Sequence, residues 1–170
     1  MKVEIIPAKG INMEIGSISF GEEKESVISR FHDVVSKGES LYVYNKNIKI
    51  DFENNKVSYL EITGGMEGEL EPLFVGEKNK VNIFGEKVKR VLEVLKESND
   101  NRFSDDDGGY SYYFKKLGIT VIREQNDDEI EELREELMEC GIDPDSDEDF
   151  VYESSLAEHF CAIGLELCEQ

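Results

Sequence analysis

The residues of this chain best equipped for chemistry are carboxylates, and their densest loop is Asp143-Pro144-Asp145-Ser146-Asp147-Glu148-Asp149. Acids at positions 1, 3, 5 and 7 of a loop are how an EF-hand surrounds calcium with hard oxygen ligands. The likeness fails where that geometry is most demanding: position 6 is Glu148, where the sharp turn needs glycine, and position 12 is Ser154, where a bidentate Glu belongs. A second run, Asp105-Asp106-Asp107-Gly108-Gly109, reads as a turn carrying carboxylates. Cys161, Cys168 and His159 lie close together near the C-terminus, without the second Cys or His pair that zinc spacing requires. His32 falls inside an expected helix beside Asp33, and His159 has no Ser or Cys at a recognisable nucleophile motif. With neither a P-loop nor a dinucleotide fingerprint, the residues imply no catalytic set, no metal and no cofactor.

What remains is charge. The 170 residues hold 39 acids against 19 bases, a net charge of −20. Such a field is repelled by the phosphates of nucleic acids and by anionic membrane surfaces, so direct nucleic-acid or membrane binding is disfavoured and a basic protein is the favoured partner. Between Glu124 and Glu153 there are fifteen acids against Arg134 alone. Like charges at i and i+4 cost a helix a few tenths of a kcal/mol per pair, roughly, so local stability does not explain them. Three thiols, with Cys140 the third, leave an odd number and no disulfide framework, which fits a reducing compartment. No N-terminal leader pattern or run of about eighteen apolar residues is present, and a cytoplasmic protein is expected.

The elements that must position these carboxylates show an internal repeat. Ile18-Ser19-Phe20-Gly21-Glu22 and Ile83-Phe84-Gly85-Glu86 each end a strand and lead into an apolar series at helical spacing: Val27, Ile28, Phe31, Val34 and Val35 in the first, Val88, Val91, Leu92 and Leu95 in the second. These spacings predict helices over about 22–36, closed by Lys37-Gly38, and over 86–97. Strands are expected at Val3–Ile6, at 11–20 with a bulge at Gly16-Ser17, at 41–44, 48–52 and 57–62, at 73–75 and 81–84, and at 110–114 and 117–122. A third helix, about 127–140, is capped by Asn126 or Asp127, stopped by Gly141, and turns Ile130, Leu133 and Leu137 inward. The spacing Phe160…Gly164-Leu165 repeats that of Val43…Asn47-Ile48 and Phe114…Gly118-Ile119, which predicts a C-terminal hairpin. The expected fold is therefore one α+β domain: a curved, largely antiparallel sheet with packed helices, built from strand-helix-hairpin units at 11–62 and 80–122, with an acidic helix and hairpin over 126–170.

The opening Gly10-Ile11-Asn12-Met13-Glu14-Ile15-Gly16-Ser17-Ile18-Ser19-Phe20, running into a helix and a strand cluster, together with the acid-rich second half, resembles the small immunity proteins of bacterial contact-dependent growth inhibition systems. The resemblance implies a cytoplasmic, non-enzymatic toxin inhibitor whose partner is the C-terminal domain of a cognate toxin, often a nuclease. No binding residue can be carried over from the family. Two other classes stay open: an acidic adaptor or regulatory module for another protein, and an enzyme or small-ligand protein.

The residues' own candidates for partner binding are Asp105, Asp106 and Asp107 in the loop, and Asp143, Asp145, Asp147, Glu148 and Asp149 after the third helix. Acidity alone gives no specificity, so the hairpins at 110–122 and 158–168 are expected to present an open sheet edge to which a partner adds a strand, with the Thr120 N–H facing it.

Overall fold

The computed structural model describes residues 1–66, 68–76, 79–105 and 107–168. Alternating apolar residues build two sheets, and the chain is α+β. The first sheet contains β1 (Lys2–Ile6), β2 (Gly10–Met13), β3 (Gly16–Ser19), β8 (Glu71–Val75) and β9 (Lys80–Asn82) in the order β3-β2-β1-β8-β9. The second contains β4 (Val35–Lys37), β5 (Ser40–Val43), β6 (Ile48–Glu53), β7 (Lys56–Thr63), β10 (Ser111–Phe114), β11 (Ile119–Ile122) and β12 (Ala162–Glu166), ordered β10-β11-β12-β7-β6-β5-β4. The single expected sheet is thus two, and every pairing is antiparallel except β1 with β8. Val3, Ile5, Ile11 and Phe74 of the first sheet share one contiguous core with Ile48, Leu60, Phe114 and Ile163 of the second.

Both strand-to-helix corners cross between the sheets. α1 (Lys24–Arg30) leads from β3, at one edge of the first sheet, to β4 at one edge of the second, and α2 (Val88–Ser98) leads from β9, at the opposite edge, towards β10. Val27 anchors α1; Val91, Val94 and Leu95 anchor α2, each fully buried aliphatic side chain contributing about 1.5–3 kcal/mol.

The strand directions make the second sheet read the same from either end. Leu60 pairs with Leu165, Glu61 with Gly164 and Ile62 with Ile163, so the relation is centred on the Glu61–Gly164 pair and exchanges β7-β6-β5 with β12-β11-β10. β5 and β6 are joined by residues 44–47, and β10 and β11 by residues 115–118. The correspondence reaches the edges: β4 pairs Val35 with Tyr42, and Ser104 makes an isolated bridge to Tyr113 on β10. Gly164 is required by packing, because a Cβ there would stand 2.5 Å from the Tyr59 hydroxyl.

Several expectations fail for identifiable reasons. The first helix ends at Arg30, not 36, because Val34 and Val35 are β-branched and Val35 pairs with Tyr42; Lys37-Gly38 then opens a hairpin turn into β5, with Gly38 at φ 63°. His32 accordingly lies beyond the helix and is exposed. The slip at Gly16-Ser17 is not a bulge but the start of β3 after a tight turn, since Met13 pairs with Gly16; the register shift of the second sheet is at Asp51/Phe52. The C-terminal hairpin does not form. β12 is a single strand in the middle of the sheet, between β11 and β7.

Candidate functional site

The two halves of the second sheet differ at one connection. β6 turns into β7 through Asn54 and Asn55, whose left-handed φ values of 50° and 66° suit a two-residue hairpin loop. The corresponding connection, β11 to β12, takes the chain through residues 123–161, where α3 (Asp127–Glu139), a 3-10 turn (Pro144–Ser146) and α4 (Glu148–Ala157) replace the two asparagines. This insertion carries almost all of the acid-rich stretch. Loops standing on a rigid sheet are where binding groups concentrate.

Local chemistry builds the insertion. The Asn126 side chain accepts from the Glu129 N–H at 2.9 Å and caps α3, while Asp127, Asp128 and Glu129 occupy its positive end. Ile130, Leu133 and Leu137 form the covered side of α3, as expected, but they are only half-covered; no residue of the helix is buried, and Met138 is 62 % exposed. Arg123 ties the pieces to the sheet. Its side chain is 3 % exposed; Nε donates to the Gly109 carbonyl and Nη1 to the Ala157 carbonyl at 3.1 Å, with Asp127 also at 3.1 Å. Arg134 lies over the Phe150 ring at 4.9 Å and pairs with Asp145 at 3.2 Å.

The candidate carboxylates divide by role. Asp143 accepts from the Asp145 N–H at 3.3 Å and Asp147 from the Phe150 N–H at 2.9 Å, so both cap helical turns, and Glu148 and Asp149 fill the first turn of α4. Of the alternating acids, Asp143 and Asp147 thus cap, Asp145 pairs with Arg134 and Asp149 sits in a first turn; among the described residues no group of three or more Asp, Glu, His or Cys is placed to hold a metal ion. Asp105 accepts from the Gly109 N–H at 2.8 Å and Asp107 from the Ser111 hydroxyl at 2.6 Å, which closes the turn before β10; Asp106 lies outside the described residues.

Thr120 is not at an edge. It pairs with Tyr113 of β10 on one side and with Gly164 of β12 on the other, so no partner strand can add there. The outer strand on that side is β10, whose Tyr113 N–H and carbonyl already bond Ser104 at 3.0 Å each.

A cleft of about 320 Å³ opens where α4 and the entry to β12 meet the loop after β7. Met66, Tyr152 and Leu156 line it with apolar surface, and among its described lining residues Glu124 is the one carboxylate and there is neither Lys nor Arg. Gly64 and Gly65, at φ 133° and 56°, form a lip in backbone conformations that favour glycine, and the Gly65 N–H holds the Cys161 carbonyl at 3.1 Å.

Cys161 and His159 both border this cleft without forming an activated pair. Burial and then the negative charge of Glu124 push the Cys161 thiol above its ordinary value, and the thiol donates to the Ile122 carbonyl at 3.4 Å. The His159 Nδ1 lies 2.9 Å from the Ser155 carbonyl, which can only accept, so Nδ1 carries the proton. A larger groove of about 650 Å³, at the turn from β8 to β9, has polar groups that pair with each other: Asn79 with Glu97 and Lys116 with Asp100, both at 2.9 Å.

The sequence placed the acids but not the cleft, whose walls come from residues 63–66, 124 and 152–162 and meet only through the pairing of β12 with β7 and β11. No family model matches the chain, and no curated protein or solved structure matches it either. Among the described residues no helix is long and apolar enough to cross a membrane.

Proposed function

We propose that this chain is an immunity protein that binds and neutralises the basic C-terminal domain of a toxin delivered between bacterial cells, and that binding is carried by the acidic insertion. The observation that supports this reading most is the state of α3: it buries no side chain, holds eight exposed acids against Arg134, and occupies the place of a two-residue turn. A helix with that composition gains little from the chain's own core. A basic partner would relieve its self-repulsion and steer itself onto it. Docking runs through the insertion instead of a sheet edge, since β11 and β12 are both interior.

The experiment is to clone the reading frame directly upstream of this gene, express its C-terminal domain with and without this chain, and measure growth and co-purification. Growth arrest relieved by co-expression, with a stable complex, is the expected result. A complex without protection would favour an acidic adaptor, and absence of any complex would defeat the proposal.

A further inference from the structure

We propose that α3 is a hinged lid on α4, latched by Arg134 and pushed open by the mutual repulsion of its own carboxylates, so that surrounding cations set how often Phe150 is covered. The inference goes beyond the toxin reading, because it concerns the free chain. What the lid covers is small and separate from the rest of the molecule. Phe150 is 3 % exposed, yet it stands outside the core shared by the two sheets, and α3 packs chiefly on α4 and the 3-10 turn. An element with so few apolar contacts can open locally while the sheets stay folded.

The two ends of α3 are held differently. At the start, Asn126 accepts from the Glu129 N–H at 2.9 Å and donates to the Gly108 carbonyl at 3.1 Å, the Tyr110 hydroxyl bonds the Glu129 carboxylate, and buried Arg123 reaches Asp127. The second half has one latch, Arg134, which lies over the Phe150 ring at 4.9 Å and pairs with Asp145 at 3.2 Å. The last turn holds Glu136 and Glu139 and no base, at the end where the helix is already negative. Asp127, Asp128, Glu131, Glu132 and Glu135 each have another acid four residues on. Each such pair shifts the equilibrium against the helix by roughly 1.5- to 2-fold. Opening therefore starts at the C-terminal end and pivots on the fastened first turn. Salt screens these separated acids more than it weakens a latch in direct contact, so added cations close the lid. A cationic partner meeting the acids would close it in the same way.

The test is amide hydrogen exchange on the full chain, followed residue by residue by NMR. The quantity to compare is protection at Leu137, Met138 and Glu139 relative to that at Ile130 and Glu131, a ratio in which the effect of salt on the exchange chemistry largely cancels. Between about 0.02 M and about 0.5 M sodium chloride this ratio should rise about fivefold or more. Millimolar spermine at the lower salt should raise it likewise, while the amides of β7 keep their protection. Arg134→Gln should lower the ratio at every salt concentration. The double variant Glu135→Gln with Glu139→Gln, at two exposed positions, should raise it at low salt and blunt the salt response. A ratio that ignores salt and spermine, halves of α3 that change in parallel, or an Arg134→Gln variant that matches wild type would each overturn the inference. The toxin reading is judged separately, by whether the upstream domain binds at all.

Discussion

Replacing Arg123 by Met removes the group that joins the insertion to the sheet while keeping most of its apolar stem. The guanidinium serves two carbonyls, Gly109 and Ala157, and both residues are buried, so neither acceptor finds water once it is gone. A hydrogen bond from a charged donor to such a group contributes about 1.5–3 kcal/mol. The Asp127 pair adds little, because the Asp127 side chain is 87 % exposed; pairs of that kind contribute about 0.5 kcal/mol. Together these give a loss of about 3 kcal/mol for Arg123→Met after partial compensation by the methionine stem, and about 0.5 kcal/mol for Asp127→Asn. Urea unfolding measures both, and hydrogen exchange locates them: amides of α3 and α4 should lose protection before those of β1 and β2. Gly109→Ala is an independent route to the same state, since its Cβ would stand 3.0 Å from the Arg123 Nη2 at a residue with φ 95°. If Asp127→Asn costs as much as Arg123→Met, or if protection falls equally in both sheets, the carbonyl bonds are not what holds the insertion.

Three further outcomes are expected. Burial by itself would raise the Glu22 carboxyl, but hydrogen bonds from Arg30, Ser26 and the Ser19 N–H, with the Arg30 charge, hold it below the usual glutamate value; its stabilisation is present above the unfolded value of about 4.3 and disappears as pH falls through the lower folded one. Wild type should therefore lose its urea midpoint more steeply than Glu22→Gln on acidification below that point, and parallel curves would contradict the network. Thr120→Pro, on an interior strand paired on both flanks, should cost about 3 kcal/mol or more; a thermal melt unchanged by circular dichroism would mean that β11 is not interior. On the proposed function, a basic partner domain should associate at a rate on the order of 10⁸ M⁻¹s⁻¹ at low salt, falling as salt is added, and stopped-flow mixing that shows no salt dependence would separate the acidity from partner recognition.

Local signals were legible and distant ones were not. The turns at 44–47, 54–55 and 115–118 stood out because apolar alternation stops and restarts around Asn or Gly, and the repeated Phe-Gly-Glu corners marked the two crossings between sheets. The first helix was overextended because Phe31, Val34 and Val35 continue a helical spacing, although Val35 is 44 % exposed and belongs to β4. β12 was misread as half of a hairpin since Gly164 resembles a turn glycine; its reason for being glycine is the Tyr59 hydroxyl on the neighbouring strand, more than a hundred residues earlier in the chain. The carboxylates after α3 read as a partner surface because a cap, an ion pair and a binding patch all call for Asp at short spacing, and only coordinates distinguish the first two.

The relation between the halves of the second sheet bears on what the acids are for. The sheet is completed through Asn54-Asn55 on one side of the Glu61–Gly164 pair, so a two-residue connection is sufficient to bring β6 against β7. Nothing in the matching pair, β11 with β12, demands more, because Ile122 already faces Ala162 and the Cys161 N–H reaches the Ile122 carbonyl at 2.8 Å. The intervening helices therefore load the fold with self-repelling charge that the sheet does not need, and Arg123, Asn126 and Arg134 hold them in place against that repulsion. The surface they present is a field of exposed carboxylates, which attracts cationic groups and repels anionic ones.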